Sequence, residues 1–195
     1  WLYIDDIRRI EIEAGYYNGK FDLIYRGIIR SCRPKKLQTD VVMDIEADSG
    51  LFALDDMLSV SIDPGETKKN VIGRIISSST GMSEGEQRVD SVAFPRTMAL
   101  MGSPVAILNT VSGGNNFVDD EKIYVMEPQD VVDGIIPVID DESGLLGVPE
   151  RDRTTVKVTC MFEPRLKMGQ VVEIRSKIAD VFDGQYKIWG ISHNG

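Results

Sequence analysis

The sequence predicts a mainly β protein of the α+β class. Three observations carry that expectation. Period-two alternation of apolar and polar residues runs to about Ala47. Helical spacing of three and four residues replaces it through the middle of the chain. Alternation resumes from about Val131 and continues to the C-terminus.

The first elements read as an antiparallel meander over residues 1–47. Ile10, Ile12 and Ala14 share one side of a strand, and Glu11 and Glu13 the other, the pattern of a half-buried strand. Asn18-Gly19 lies between two strand-like runs, and both residues tolerate positive φ, so a hairpin is expected there. Leu23, Tyr25, Gly27 and Ile29 line one face of the return strand, with Arg26 and Arg30 on the other. In "TDVVMDIEA", Val41, Met43, Ile45 and Ala47 fall on one side.

Residues 48–130 read as a small α/β module. Leu51, Leu54 and Leu58 recur at helical spacing and predict a short helix. In "DPGETKKNVIGRIISSSTG", Val71, Ile72, Ile75 and Ile76 make an apolar stripe, Lys68 and Lys69 a wet face, and Gly81 a stop. "SEGEQRVDS" is polar and loop-like. "GSPVAILNTVSGGNN" predicts a second helix, with Ser103 at the N-cap, Pro104 at the first helical position and Gly113-Gly114 at the end. "FVDDEKIYVME" reads as a hairpin with a polar tip.

Residues 131–195 return to strands. A turn-rich approach at Gly144 leads to a strand, a Glu163-Pro164 break, a Gly169-Gln170 turn and a second strand. Asp183-Gly184 closes a last hairpin before "QYKIWGISHNG".

Composition narrows the function classes. The 195 residues are 42% hydrophobic and 27% charged, an ordinary globular mix with enough apolar surface for a core split between modules. A net charge of −9 argues against a basic nucleic-acid groove. Two cysteines, Cys32 and Cys160, form no Cys-x-x-Cys pair and are too few for a disulfide framework. Cys160 alternates with Val156, Val158 and Phe162 and reads as a small buried hydrophobe. No apolar run approaches the roughly 20 residues of a membrane span, and no signal peptide is visible. The chain opens at Trp1, close to a strand, so an upstream part is expected.

No residue set carries a chemical signature, and no catalytic, cofactor-binding or metal-binding residue is expected. "GYYNGK" lacks the spacing and the Ser/Thr after Lys20 of a phosphate loop, and it precedes a strand. Acidic clusters at Asp5-Asp6, Asp55-Asp56, Asp119-Asp120-Glu121 and Asp140-Asp141-Glu142 lack calcium-loop spacing and sit at expected turns and helix faces. His193 is the only histidine, too few for a zinc site or a catalytic triad. Ser77, Ser78 and Ser79 read as a polar helix end. Tyr186 and Trp189 read as core and interface on opposite faces of the last strand, without the interleaved basic residues of a single-strand binder.

The order of phrases carries more. "EAGYYNGKFDLIYRGII", "DVVMDIEADSG", a helix pair, "GLLGVPERDRTTVKVTCMFEPRLKMGQVVEIRS" and "FDGQYKIWGISHNG" follow one another over Ile10 to Gly195. In this order the chain resembles the baseplate hub proteins of contractile-tailed bacteriophages and related injection machines. It departs from them in lacking a further N-terminal strand region and in stopping at His193-Asn194-Gly195 without the usual acidic residue.

The resemblance implies two small antiparallel β-barrel-like domains, at 1–47 and 131–195, flanking the α/β module. It implies a non-enzymatic homotrimer whose six barrels form a pseudo-sixfold ring. Its partners would be the tail tube, the central spike and other baseplate proteins, with DNA a non-specific passenger through the channel. It implies no cofactor and no membrane anchor, synthesis in the host cytoplasm and residence in the virion baseplate. Glu163-Pro164 would break a strand at a barrel corner, and Ile28 and Trp189 are candidate interface residues. Two alternatives remain: a tail-borne cell-wall hydrolase, and a carbohydrate- or receptor-binding β module. A turbidity assay on cell wall separates the first, and exposed aromatics in a groove would mark the second.

Overall fold

A computed structural model describes residues 9–50, 57–79 and 81–194. It is mainly β with two α-helices among the described residues. Contacts divide the chain into two compact units: Trp1–Ile12 with Leu23–Asp130, and Glu13–Asp22 with Val131–Gly195.

The first sheet has the order β1-β2-β3, with β1 at Arg9–Gly15, β2 at Phe21–Leu37 and β3 at Asp40–Asp48. A four-residue turn joins β1 to β2, closed by the Gly19 N–H donating to the Tyr16 carbonyl at 2.8 Å. Neither Asn18 nor Gly19 has positive φ. The turn therefore forms where the sequence placed it, but not as the Asn-Gly type with two left-handed residues.

The rest of the first unit surrounds its core. Strands β4 (Leu58–Ile62) and β6 (Met98–Gly102) pair antiparallel. The helix expected from Leu51 and Leu54 falls outside the described residues, and Leu58 is a strand residue. Helix α1 (Lys68–Ser78) buries Val71, Ile72, Ile75 and Ile76, the stripe read from the sequence. Thr67 caps it, its Oγ1 accepting from the Asn70 N–H at 3.4 Å. Helix α2 (Pro104–Ser112) starts at the Ser103 cap and ends where Gly113 turns left-handed at φ 71°.

A second sheet in this unit has the order β5-β8-β7: β5 at Ser83–Arg88, β7 at Asn116–Asp119 and β8 at Lys122–Met126. The polar segment "SEGEQR", expected as a loop, is thus an edge strand parallel to β8. Its ladder to apolar β8 supplies the order that its own side chains lack. The β7–β8 turn is Asp120-Glu121, both at positive φ (48° and 62°), the arrangement that matches the strand twist of a tight hairpin. Both helices and strands β4 and β8 share one core, with Val60, Ile62, Ile75, Leu108, Ile123 and Val125 among its buried members.

The second unit has a smaller core. β10 (Leu145–Asp152) pairs with β11 (Thr155–Cys160), and a three-stranded sheet has the order β13-β12-β9. Those strands are β9 at Val138–Ile139, β12 at Val171–Ile174 and β13 at Gly184–Lys187. β9 runs parallel to β12, a departure from an all-antiparallel domain that the long intervening connection permits. β12 and β13 are joined through a short 3-10 turn at Asp180–Phe182, so Asp183-Gly184 ends a long connection and is no tight turn. Glu163-Pro164 follows β11 in a loop and interrupts no strand. Ile139, Leu145 and Val172 form the buried centre, with Val158, Cys160, Leu166, Tyr186 and Ile188 packed against it. No sheet closes into a barrel among the described residues.

Candidate assembly surfaces

Several residues that a chemical reading would single out have structural employment. The Ser77 and Ser78 hydroxyls donate to the Arg74 carbonyl at 2.9 and 2.8 Å, and Ser79 donates to the Ile75 carbonyl at 2.8 Å. Back-bonding of this kind leaves no hydroxyl aimed at a base. Glu121, at the β7–β8 turn, is buried. Its carboxylate accepts from Arg9 Nε at 3.1 Å, and its N–H donates to Ser49 Oγ at 3.0 Å. Asp140 caps its own turn, accepting from the N–H groups of Ser143 at 2.6 Å and Glu142 at 3.0 Å. The hydrogen bonds from Ser143 hold its carboxyl below the ordinary range. Asp5-Asp6 and Asp55-Asp56 lie outside the described residues.

His193 stacks edge-on against Phe162, ring centres 5.5 Å apart, and Tyr16 meets the same ring at 6.2 Å. Among the described residues no group of three or more His, Cys, Asp or Glu side chains could hold a metal ion. Cys160 is half-buried, and burial, then the Glu163 charge, pushes its thiol up. No helix among the described residues is long and apolar enough to cross a membrane.

The surfaces that stand out are apolar. Trp189 is 63% exposed and available for contact. Lys187 Nζ lies 4.9 Å from its ring centre, so a basic residue does accompany the aromatic pair, contrary to expectation. Tyr186 packs against the core and donates its hydroxyl to the Phe182 carbonyl at 3.0 Å. Ile28 is 4% exposed, which removes it as an interface residue: its side chain is already buried within its own chain.

The β2–β3 ribbon shows the most organised of these surfaces. A bulge at Arg30 resets the register, and beyond it Ser31 to Leu37 pairs with Asp40 to Glu46. Directly opposed residues of an antiparallel pair share a face. Cys32 opposes Ile45, Pro34 opposes Met43 and Lys36 opposes Val41. One face is therefore Cys32, Pro34, Val41, Met43 and Ile45, with Lys36 at its end. The other face carries Ser31 opposite Glu46, Arg33 opposite Asp44, Lys35 opposite Val42 and Leu37 opposite Asp40, with Lys35 bonded to Asp44. That bond raises the Lys35 pKa.

A strand with one apolar face ordinarily buries it. Here Val41 is 69% exposed, Met43 51% and Ile45 45%. Alternation in "TDVVMDIEA" located the face correctly. It could not tell that the face stays exposed among the described residues, because a buried and an exposed apolar face have the same period.

Open sheets and exposed apolar faces are what the described residues offer in place of a chemical site. A family model described as baseplate hub gp41 matches residues 3–194, and the chain belongs to this family of phage baseplate hub proteins. It is thus a structural component of the phage tail baseplate, in the virion. A search of curated proteins found no match.

Proposed function

We propose that the chain is the hub subunit that joins the tail tube to the central spike. Three copies form a pseudo-sixfold ring around the DNA channel, and DNA passes through it without specific contact. Residues 1–47 and 131–195 supply barrel-like domains completed by neighbours, and residues 48–130 form the α/β module between them in sequence. The hub performs no catalysis and needs no cofactor. One observation carries this reading: the family match runs over residues 3–194, and the open strand edges of the same span call for partners.

The physics of closure supports a ring. Unpaired edges and exposed apolar faces invite unlimited association unless a rotation between identical copies closes. An acidic chain of −9 also suits a channel that must not hold phosphate.

Light scattering on the full-length protein at micromolar concentration tests the reading, with a trimer expected. A strictly monomeric mass, unchanged on adding tube or spike protein, contradicts it. Cell-wall turbidity that falls on adding the purified protein would favour a hydrolase.

A further inference from the structure

We infer that Asn18-Gly19, at the tip of the β1–β2 hairpin, is a covalent modification site, where the asparagine loses its amide and becomes isoaspartate.

Three features meet at this turn. Gly19 carries no Cβ, so its backbone nitrogen can approach the Asn18 side chain without obstruction. Every residue from Tyr16 to Asp22 is exposed, so water reaches the pair. Among the described residues no hydrogen bond holds the Asn18 carboxamide. Other asparagines differ. Asn115 donates its amide to Glu127 Oε2 at 2.9 Å, and Asn116 donates to Asn109 Oδ1 at 2.7 Å and Ser112 Oγ at 2.9 Å. Asn70 lies inside α1 and Asn109 inside α2, where the helix fixes the backbone and the next residues, Val71 and Thr110, are β-branched. Asn194 also precedes a glycine, Gly195, which lies outside the described residues.

The step balances with water alone. The Gly19 nitrogen gives up its proton and bonds to Asn18 Cγ. The Cγ–Nδ2 bond breaks, and ammonia leaves. The cyclic imide then takes up water. Opening on the Cγ side yields aspartate. Opening at the main-chain carbonyl yields isoaspartate, whose backbone runs through the side chain and is longer by one carbon.

One bond opposes attack. The Gly19 N–H donates to the Tyr16 carbonyl at 2.8 Å, so reaction waits until that bond opens. It closes an exposed loop tip, where opening costs least. Behind the turn the strands are tight: a Cβ at Gly15 would run into the Lys20 carbonyl. The added carbon therefore has room only in the turn, where it displaces the Gly19 N–H from Tyr16. The tip also gains a negative charge.

Peptide mapping of the full-length protein after storage at mildly alkaline pH tests this, with mass spectrometry and an isoaspartate-specific methyltransferase as readouts. Residue 18 should convert before Asn70, Asn109, Asn115 and Asn116, with isoaspartate among its products. Conversion should be slower at mildly acid pH, where less hydroxide is present to take the Gly19 proton. Gly19→Ala is the control. Gly19 has no positive φ, and an added Cβ would meet the Tyr16 carbonyl at 3.5 Å, an ordinary contact, so the turn is kept. The new side chain should leave residue 18 largely unconverted over the same period.

An Asn18 that stays intact through storage, or that outlasts any of those other asparagines, overturns the inference. So does a Gly19→Ala protein that converts as fast as the wild type. Should that variant fail to fold, the wild-type products decide: aspartate without isoaspartate overturns the inference, because direct hydrolysis passes through no imide.

Discussion

The helix-bearing core of the first unit and the β2–β3 ribbon are built from the same kind of sequence and end in opposite states. In the core, Ile62, Val71, Ile72, Ile75 and Ile123 are wholly buried. In the ribbon, Val41, Met43 and Ile45 are as apolar and as regularly spaced, yet each stays exposed. The difference lies in the number of layers. Two helices and two sheets enclose the core from several sides, whereas among the described residues the ribbon has one layer and an exposed apolar face. Residues that the chain can enclose by itself hold the fold. Residues that it does not enclose stay exposed at the ribbon.

The largest test of this contrast is in the core. Ile75→Ala should cost about 2–5 kcal/mol, because the helix packs against strands that cannot collapse into the void. Chemical denaturation measures it, and a loss below about 0.5 kcal/mol would mean that the core is not what holds the first unit.

Gly144→Ala should follow at about 1–3 kcal/mol. Gly144 has φ 109°, and an added Cβ would come within 2.8 Å of the Met161 Cβ. The effect should be confined to the second unit, so hydrogen exchange in residues 131–194 should quicken while α1 is unchanged. Ser103→Ala should cost about 1 kcal/mol by removing the acceptor for the Ala106 N–H. A shift in thermal midpoint of a few degrees checks it.

Acid should act mildly on the second unit. The bond from Arg165 holds Glu163 below the ordinary carboxylate range, the bond from Arg175 does so for Glu173, and Ser143 does so for Asp140. A depressed carboxylate stabilises the fold above its unfolded pKa, and that contribution is lost as pH falls through the folded value. Stability of the second unit should therefore decline below about pH 4. The groups are largely solvated, so screening keeps the effect small. Thermal melts across that range, with and without Asp140→Ala, should show a shallower acid limb in the variant.

Much of the fold was legible because its signals are local. The α1 stripe, the Ser103–Pro104 start of α2 and the Gly113 stop each follow from a few adjacent residues. Strand β5 was not legible, since "SEGEQR" has no apolar period and is held by its ladder to β8. Strand β4 was missed because Leu58 continued the three-and-four spacing of Leu51 and Leu54, and β6, "MALMG", because it has no apolar–polar alternation. The candidate surface was half legible. Alternation gave the faces of β3. Pairing Cys32 with Ile45 and Pro34 with Met43 needed the register after the Arg30 bulge, which no local pattern encodes. The low accessibility of Ile28 likewise depends on packing distant in sequence.

Hydrogen–deuterium exchange of the full-length protein at low concentration tests the central contrast most directly. Amides of α1 and α2 should be protected, because their enclosure is complete within one chain. Amides of residues 31–46 should exchange faster, because a single layer leaves them open to water. Equal exchange in the ribbon and the two helices would contradict the account.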